Sequence, residues 1–162
     1  MLSRGLGYIL VLVILLGCSQ SNEQTNTEPI TPQNPLIGKW KLVKRKFDPD
    51  KVFIENPDSI EYIKVITEKS FIWYTYNKNT KIVSAMAGGS YDLEGESYTE
   101  HIEFLHPPGS GIQGSAIPFK CVVNGNEWHH SGYINEREYD NEIGDYVVVA
   151  ERRLEEFWTR LE

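Results

Sequence analysis

Cysteine is scarce in this chain. Cys18 and Cys121 are the two present among 162 residues, and Cys18 closes an N-terminal apolar run, so a disulfide framework is excluded. Positive charge is also thin: 16 Lys and Arg stand against 23 Asp and Glu, for a net charge of −7. The longest basic run is Lys44-Arg45-Lys46, and binding along a phosphate backbone needs a broad basic face, which excludes DNA and RNA as partners. The apolar run Tyr8 to Leu16 is too short to span a bilayer. No G-x-S-x-G motif is present to carry a nucleophilic serine. Gly88-Gly89 lies in a strand-like context, where glycine marks a bulge or the bend that closes a small barrel, not a phosphate loop. His129 and His130 are adjacent, and neighbours on a strand face opposite ways, so at most one joins an interior site; no metal or other cofactor is expected. Glu100 and Glu103, at odd spacing on one strand, also face apart and make no glycosidase pair. The chain is therefore expected not to be an enzyme.

The first 18 residues run in the order of an export signal: Arg4, the apolar run, then a small residue. Leu15-Leu16-Gly17-Cys18 resembles the bacterial lipobox, which implies cleavage before Cys18 and lipid on that cysteine. Residues 1–17 are then a signal peptide, and losing Arg4 with them takes the net charge to −8. Residues 18–35 are rich in Ser, Asn, Gln, Thr and Pro, a composition that cannot offset ordering entropy by burial, and are read as a flexible tether. Several acyl chains on one cysteine hold a protein stably where a single chain binds marginally. The expected location is the bacterial cell envelope, with the membrane contacted through Cys18. Ser19 stands where an aspartate favours inner-membrane retention in enteric bacteria, so the outer membrane is favoured by analogy.

Residues 36–162 are long enough for a single core burying roughly two-thirds of its unfolded surface. They carry short runs of Val, Ile, Tyr, Phe and Trp bounded by turn residues and repeated about every ten positions, an all-β signature. Strands are predicted at 37–47, 60–67, 70–77, 82–94, 97–106, 115–124 and 126–135. A last element at 146–161 is of open type, because Leu154, Phe157, Trp158 and Leu161 fit a helical face as readily as a strand. Turns are expected at Asp48-Pro49-Asp50, Asn77-Lys78-Asn79, Glu94-Gly95-Glu96 and, most clearly, Asn124-Gly125-Asn126. Tyr98, Glu100, Ile102 and Phe104 should share the inward face of their strand, and Cys121 should be a small core residue between Phe119 and Val123. The register around Phe71 and Trp73 is ambiguous, since both faces there are apolar.

Gly38-Lys39-Trp40 resembles the G-x-W signature of lipocalins and related calycins, with Trp158-Thr159-Arg160 at the other end of the chain. The segments Phe71-Ile72-Trp73, Gly88-Gly89-Ser90-Tyr91, Tyr98 to Phe104, Trp128-His129-His130-Ser131-Gly132 and Glu156 to Arg160 are similar to a family of lipocalin-like lipoproteins of Bacteroidetes, itself of uncharacterised function. The resemblance spans about 36–162. It implies a lipocalin-like antiparallel up-and-down β-barrel of about eight strands, with Arg160 over Trp40 at the closed end and a final strand in place of a helix. The acidic segment Asn135 to Gly144 reads as a longer loop than the family carries.

With the register that the resemblance implies, Trp73, Tyr91, Glu100, Trp128 and His130 converge on the interior, giving aromatic walls with polar anchors. Glu100 and His130 are expected to pair, because a desolvated carboxylate needs a partner. The expected function is non-catalytic binding of a small apolar or amphipathic ligand. The alternative is a protein-protein interaction module whose barrel is filled by side chains and whose acidic 135–145 segment meets a partner protein.

Overall fold

The structure, a computed structural model, describes residues 34–109 and 111–161. The expected signal peptide, the Cys18 anchor and the tether up to residue 33 lie outside the described residues. Nine strands run in order: β1 (Gly38–Phe47), β2 (Ile54–Glu55), β3 (Ile60–Ile66), β4 (Ser70–Asn77), β5 (Ile82–Glu94), β6 (Ser97–His106), β7 (Ala116–Asn124), β8 (Glu127–Asp140) and β9 (Asp145–Leu161). Among the described residues there is no helix. From β3 onward each strand pairs antiparallel with the next, β1 pairs with β3, and β1–β9 pairing closes the ring. This is the expected up-and-down barrel of eight strands. The ninth, the two-residue β2, lies against the far end of β1, where Lys44 and Arg45 face Glu55 and Ile54; it is too short to leave a periodic trace in the sequence.

Turn chemistry acts where it was expected. Gly95 and Gly125 adopt φ +59°, the left-handed region that an L side chain rarely enters, and so close the β5–β6 and β7–β8 hairpins. The paired glycines of β5 mark a bulge, as the register shifts between Gly88 and Gly89 opposite Phe104 and Ile102. A Cβ at Gly89 would collide with the His101 carbonyl.

That bulge corrects one expectation. Glu103 is the extra residue, so the alternation of β6 inverts beyond it: Phe104 is 42% exposed and Leu105 packs against the core instead. The Asn135 to Gly144 loop is a second correction. β8 runs to Asp140 and β9 starts at Asp145, paired from Tyr133↔Arg153 to Asp140↔Asp145. The segment is a long two-stranded ribbon with a tight turn. The last element is a strand, because β9 is paired along most of its length with β8 and also, over residues 154–161, with β1; ladder bonds on both edges outweigh a helical periodicity that buries one face only.

One end of the barrel is packed solid. Trp40, Tyr98, Trp128, Leu36 and Ile66 are buried there, with Trp128 at 5.5 Å from Trp40, 5.8 Å from Tyr98 and 5.7 Å from Trp158 between ring centroids. The first two of these contacts are edge-on, a geometry aromatic quadrupoles favour. Arg160 seals this end: its guanidinium lies 4.2 Å from the Trp40 ring centroid and donates to the Ile37 and Pro35 carbonyls, each at 2.6 Å. Gly38 has φ +137° and a Cβ there would stand 2.6 Å from Arg160 Nη1. The glycine, tryptophan and arginine of the resemblance are thus one packed unit.

Candidate functional site

Above the aromatic base, four strands each place one polar side chain at an inward position. Lys64 lies between Tyr62 and Ile66 on β3, Glu100 between Tyr98 and Ile102 on β6, His130 between Trp128 and Gly132 on β8, and Glu156 between Leu154 and Trp158 on β9. All four are buried, His130 to 1% exposure. Desolvated charge requires compensation, and it is supplied in pairs. Lys64 Nζ meets Glu100 Oε1 at 2.5 Å, and His130 Nδ1 meets Glu156 Oε2 at 3.1 Å. Trp158 Nε1 donates to that same Oε2, also at 3.1 Å. The Lys64 ammonium lies 5.2 Å from the Trp128 ring and 5.1 Å from that of Trp158, close enough for cation–π attraction.

This setting decides protonation. Burial, reinforced by the Lys64 charge, pushes the His130 pKa down against the pull of Glu156. The ring's Nδ1 is bonded to Glu156, and its Nε2 is buried without a hydrogen-bond partner. Burial opposes the charge on Glu156, but the bond and charge of His130, then the Lys64 charge and the Trp158 bond, hold its carboxyl below the ordinary range. Tyr98 is raised by burial and by the neighbouring Glu100 charge. Burial pushes the Cys121 thiol up to about 11, and the residue is a core cysteine, as its period-two neighbours implied.

The polar layer floors a cavity of about 170 Å³ at the other end of the barrel. Trp73, Phe119, Ile117 and Trp158 form its walls, and Arg45, Phe47 and Tyr62 stand at its half-buried mouth. Arg45 is held there by the Tyr62 hydroxyl, to which it donates at 3.1 Å. β7 and β8 separate beyond Phe119↔Gly132, and a groove of about 540 Å³ opens between the 112–118 segment and the ribbon. Ile112, Ile117 and Ile134 line both the groove and the cavity.

Of the five interior residues expected at the site, Trp73, Glu100 and His130 line the cavity. Trp128 is wholly buried in the aromatic base. Tyr91 is also buried at the packed end, where its hydroxyl donates to the Thr67 carbonyl at 2.6 Å and accepts from Asn34 Nδ2 at 2.7 Å. The expected Glu100–His130 pair does not form, because nearer partners take both: Lys64 takes the carboxylate and Glu156 the imidazole. His129 faces outward, as its adjacency to His130 required, and bonds Glu155 at 3.1 Å. Among the described residues no group of three or more His, Cys, Asp or Glu is arranged to hold a metal ion. The sequence gives no reason to expect Lys64, Glu156, Tyr62 or Arg45 at the site, although alternation with Ile66 and Leu154 puts Lys64 and Glu156 on inward faces.

No protein-family profile matches the chain, and no curated protein matches it. Among solved structures it is similar to a lipocalin-like protein from Bacteroides uniformis, at 17% identity and a TM-score of 0.49, over 79% of this chain and 100% of that one. It is also similar to an uncharacterized protein from Bacteroides eggerthii, at 16% identity and a TM-score of 0.47, over 78% of this chain and 99% of the other.

Proposed function

We propose that this chain is a cell-envelope lipoprotein, anchored in the outer membrane through lipid on Cys18, whose barrel binds a small apolar or amphipathic ligand without transforming it. The observation that carries the reading is the cavity of about 170 Å³ with aromatic walls and a polar floor. Alone it is smaller than the roughly 300 Å³ at which ordinary ligand sites begin, yet it is comparable to an apolar cavity of about 150 Å³ that holds benzene, and its rim continues into the groove. A non-catalytic role accords with the side chains present: Lys64 and Glu100 are bonded to each other, and the buried Cys121 thiol is a poor nucleophile at neutral pH.

The test is native mass spectrometry of the full chain purified from its own envelope. A small molecule should be retained, and should be lost in an Ile117→Trp variant that fills the cavity. If nothing is retained, the interaction-module reading gains. One observation favours that second reading, the β8–β9 ribbon, where Tyr139, Ile143, Val148 and Val149 are exposed and, among the described residues, the two strands pair only with each other.

A further inference from the structure

We infer that the barrel selects an amphipathic monocarboxylate, its ring-sized apolar body lying in the cavity and its carboxylate on the Arg45 guanidinium at the mouth. The inference rests on the ligand-binding reading above and specifies its chemistry. Arg45 reaches the mouth through an irregularity of β1. Trp40 and Leu42 point inward, and unbroken alternation would send Lys44 and Lys46 after them. The β1–β9 register shifts between Leu42 and Lys44, so Val43 is an extra residue and the faces exchange: Arg45 stands opposite Glu156 and Phe47 opposite Leu154, both inward residues of β9. Lys44 goes outside instead, over the rings of Phe53 and Phe157. A bulge of this kind re-aims a side chain, and here it aims a guanidinium into the mouth of a cavity walled by Trp73, Ile117 and Phe119.

That guanidinium is positioned but not neutralised. It lies 4.5 Å from the Tyr62 ring centroid and 5.6 Å from that of Phe47, and its one side-chain hydrogen bond among the described residues goes to the Tyr62 hydroxyl. The carboxylates around it are engaged by other groups: Glu156 by His130 and Trp158, Glu155 by Lys46 and His129, and Glu61 by Lys41 and Lys78. The rest of its donor fork is unused, and that fork matches the two oxygens of a carboxylate. Lys64, the other cation of the cavity, also has spare N–H groups, but its ammonium is buried on the floor against Glu100. An anion seated there would lose its water and lie beside Glu100 and Glu156, whereas one seated on the half-buried Arg45 keeps part of its hydration. The head therefore faces outward and the apolar body inward, against the flat walls of Trp73 and Trp158. A volume of about 170 Å³ holds one ring, by comparison with the benzene-sized precedent; a longer body continues into the groove past Ile117 and Ile134.

The experiment titrates the full chain by calorimetry with phenylpropanoate, phenylpropanamide and phenylpropylamine, probes that share an apolar body and carry a negative, a neutral or a positive head. Phenylpropanoate should bind about tenfold tighter than the amide, the scale of a charge-assisted hydrogen bond, and the amine should bind weakest. Added salt should erode the carboxylate's advantage. In Arg45→Gln, which keeps a donor for the Tyr62 hydroxyl, that advantage should vanish while the amide still binds. Should the variant fail to fold, the Arg45 Nε–H resonance of the unaltered protein decides, since it should shift with phenylpropanoate and stay in place with the amide. The amide binding as tightly as the carboxylate, the amine binding tightest, an advantage that survives in Arg45→Gln, or a stationary Arg45 signal with phenylpropanoate bound overturns this inference and leaves the ligand reading standing. If none of the three binds while a native compound is retained, again this inference alone falls; if none binds and nothing is retained, both fall.

Discussion

Lys64 gives up water on every side to reach Glu100, and that exchange is tolerated only because the partner is there. Removing the ammonium strands a carboxylate among Tyr98, Trp128 and Ile102. Lys64→Met is therefore expected to lose about 3–5 kcal/mol of stability, whereas the double variant Lys64→Met, Glu100→Leu should recover most of it, since two apolar groups need no compensation. Urea unfolding of the two variants against the parent checks this; equal losses would mean that the pair is not what holds these residues. Glu100 was legible as an inward carboxylate in need of a partner. Which partner was not, because Lys64 and His130 both occupy inward positions of other strands, and alternation says nothing about height along the barrel axis.

Strands and turns were the most legible features, and the reasons for the exceptions are local. The positive-φ glycines announce hairpins at Glu94-Gly95-Glu96 and Asn124-Gly125-Asn126, since two-residue turns joining twisted strands need that conformation. The β5–β6 bulge needs its glycine for another reason, the close approach of the His101 carbonyl to Gly89. Two alanine substitutions separate these causes. Gly125→Ala meets nothing within 4 Å and should cost roughly 1–2 kcal/mol for the left-handed backbone alone. Gly89→Ala must displace backbone and should cost more, by denaturant unfolding; equal costs would show that the bulge yields freely. The inversion of Phe104 and Leu105 was hidden because an extra residue is invisible to a period-two pattern until its partner strand is known. The β8–β9 ribbon reads as a loop in the sequence because the stretch is dense in acid at Glu136, Glu138, Asp140, Glu142 and Asp145, which signals solvent-facing chain whether or not it is paired.

For the molecule as a whole, the function proposed above gives two parts of the chain different tasks. The barrel encloses the site, while the N-terminal segment is proposed to hold it at a membrane. Cys18→Ala should release the protein from the membrane fraction of fractionated cells, with the uncleaved precursor retained through its apolar run as the outcome that shows processing, as well as anchoring, to depend on that cysteine. Membrane association unchanged after cleavage would remove the lipid anchor from the reading. Features set by neighbours along the chain were already fixed in the order of its residues: an all-β domain, its strands to within a few residues at most ends, its hairpin turns, and the aromatic and charged side chains that alternate inward. Features set by neighbours across the barrel emerged only on folding: that β9 is a strand, that Tyr91 and Trp128 belong to the packed end, and that Lys64 meets Glu100 while His130 meets Glu156. Alternation fixes the face on which a side chain lies, whereas ring closure, the bulge and the stagger between strands fix its height, and a site is a coincidence of heights.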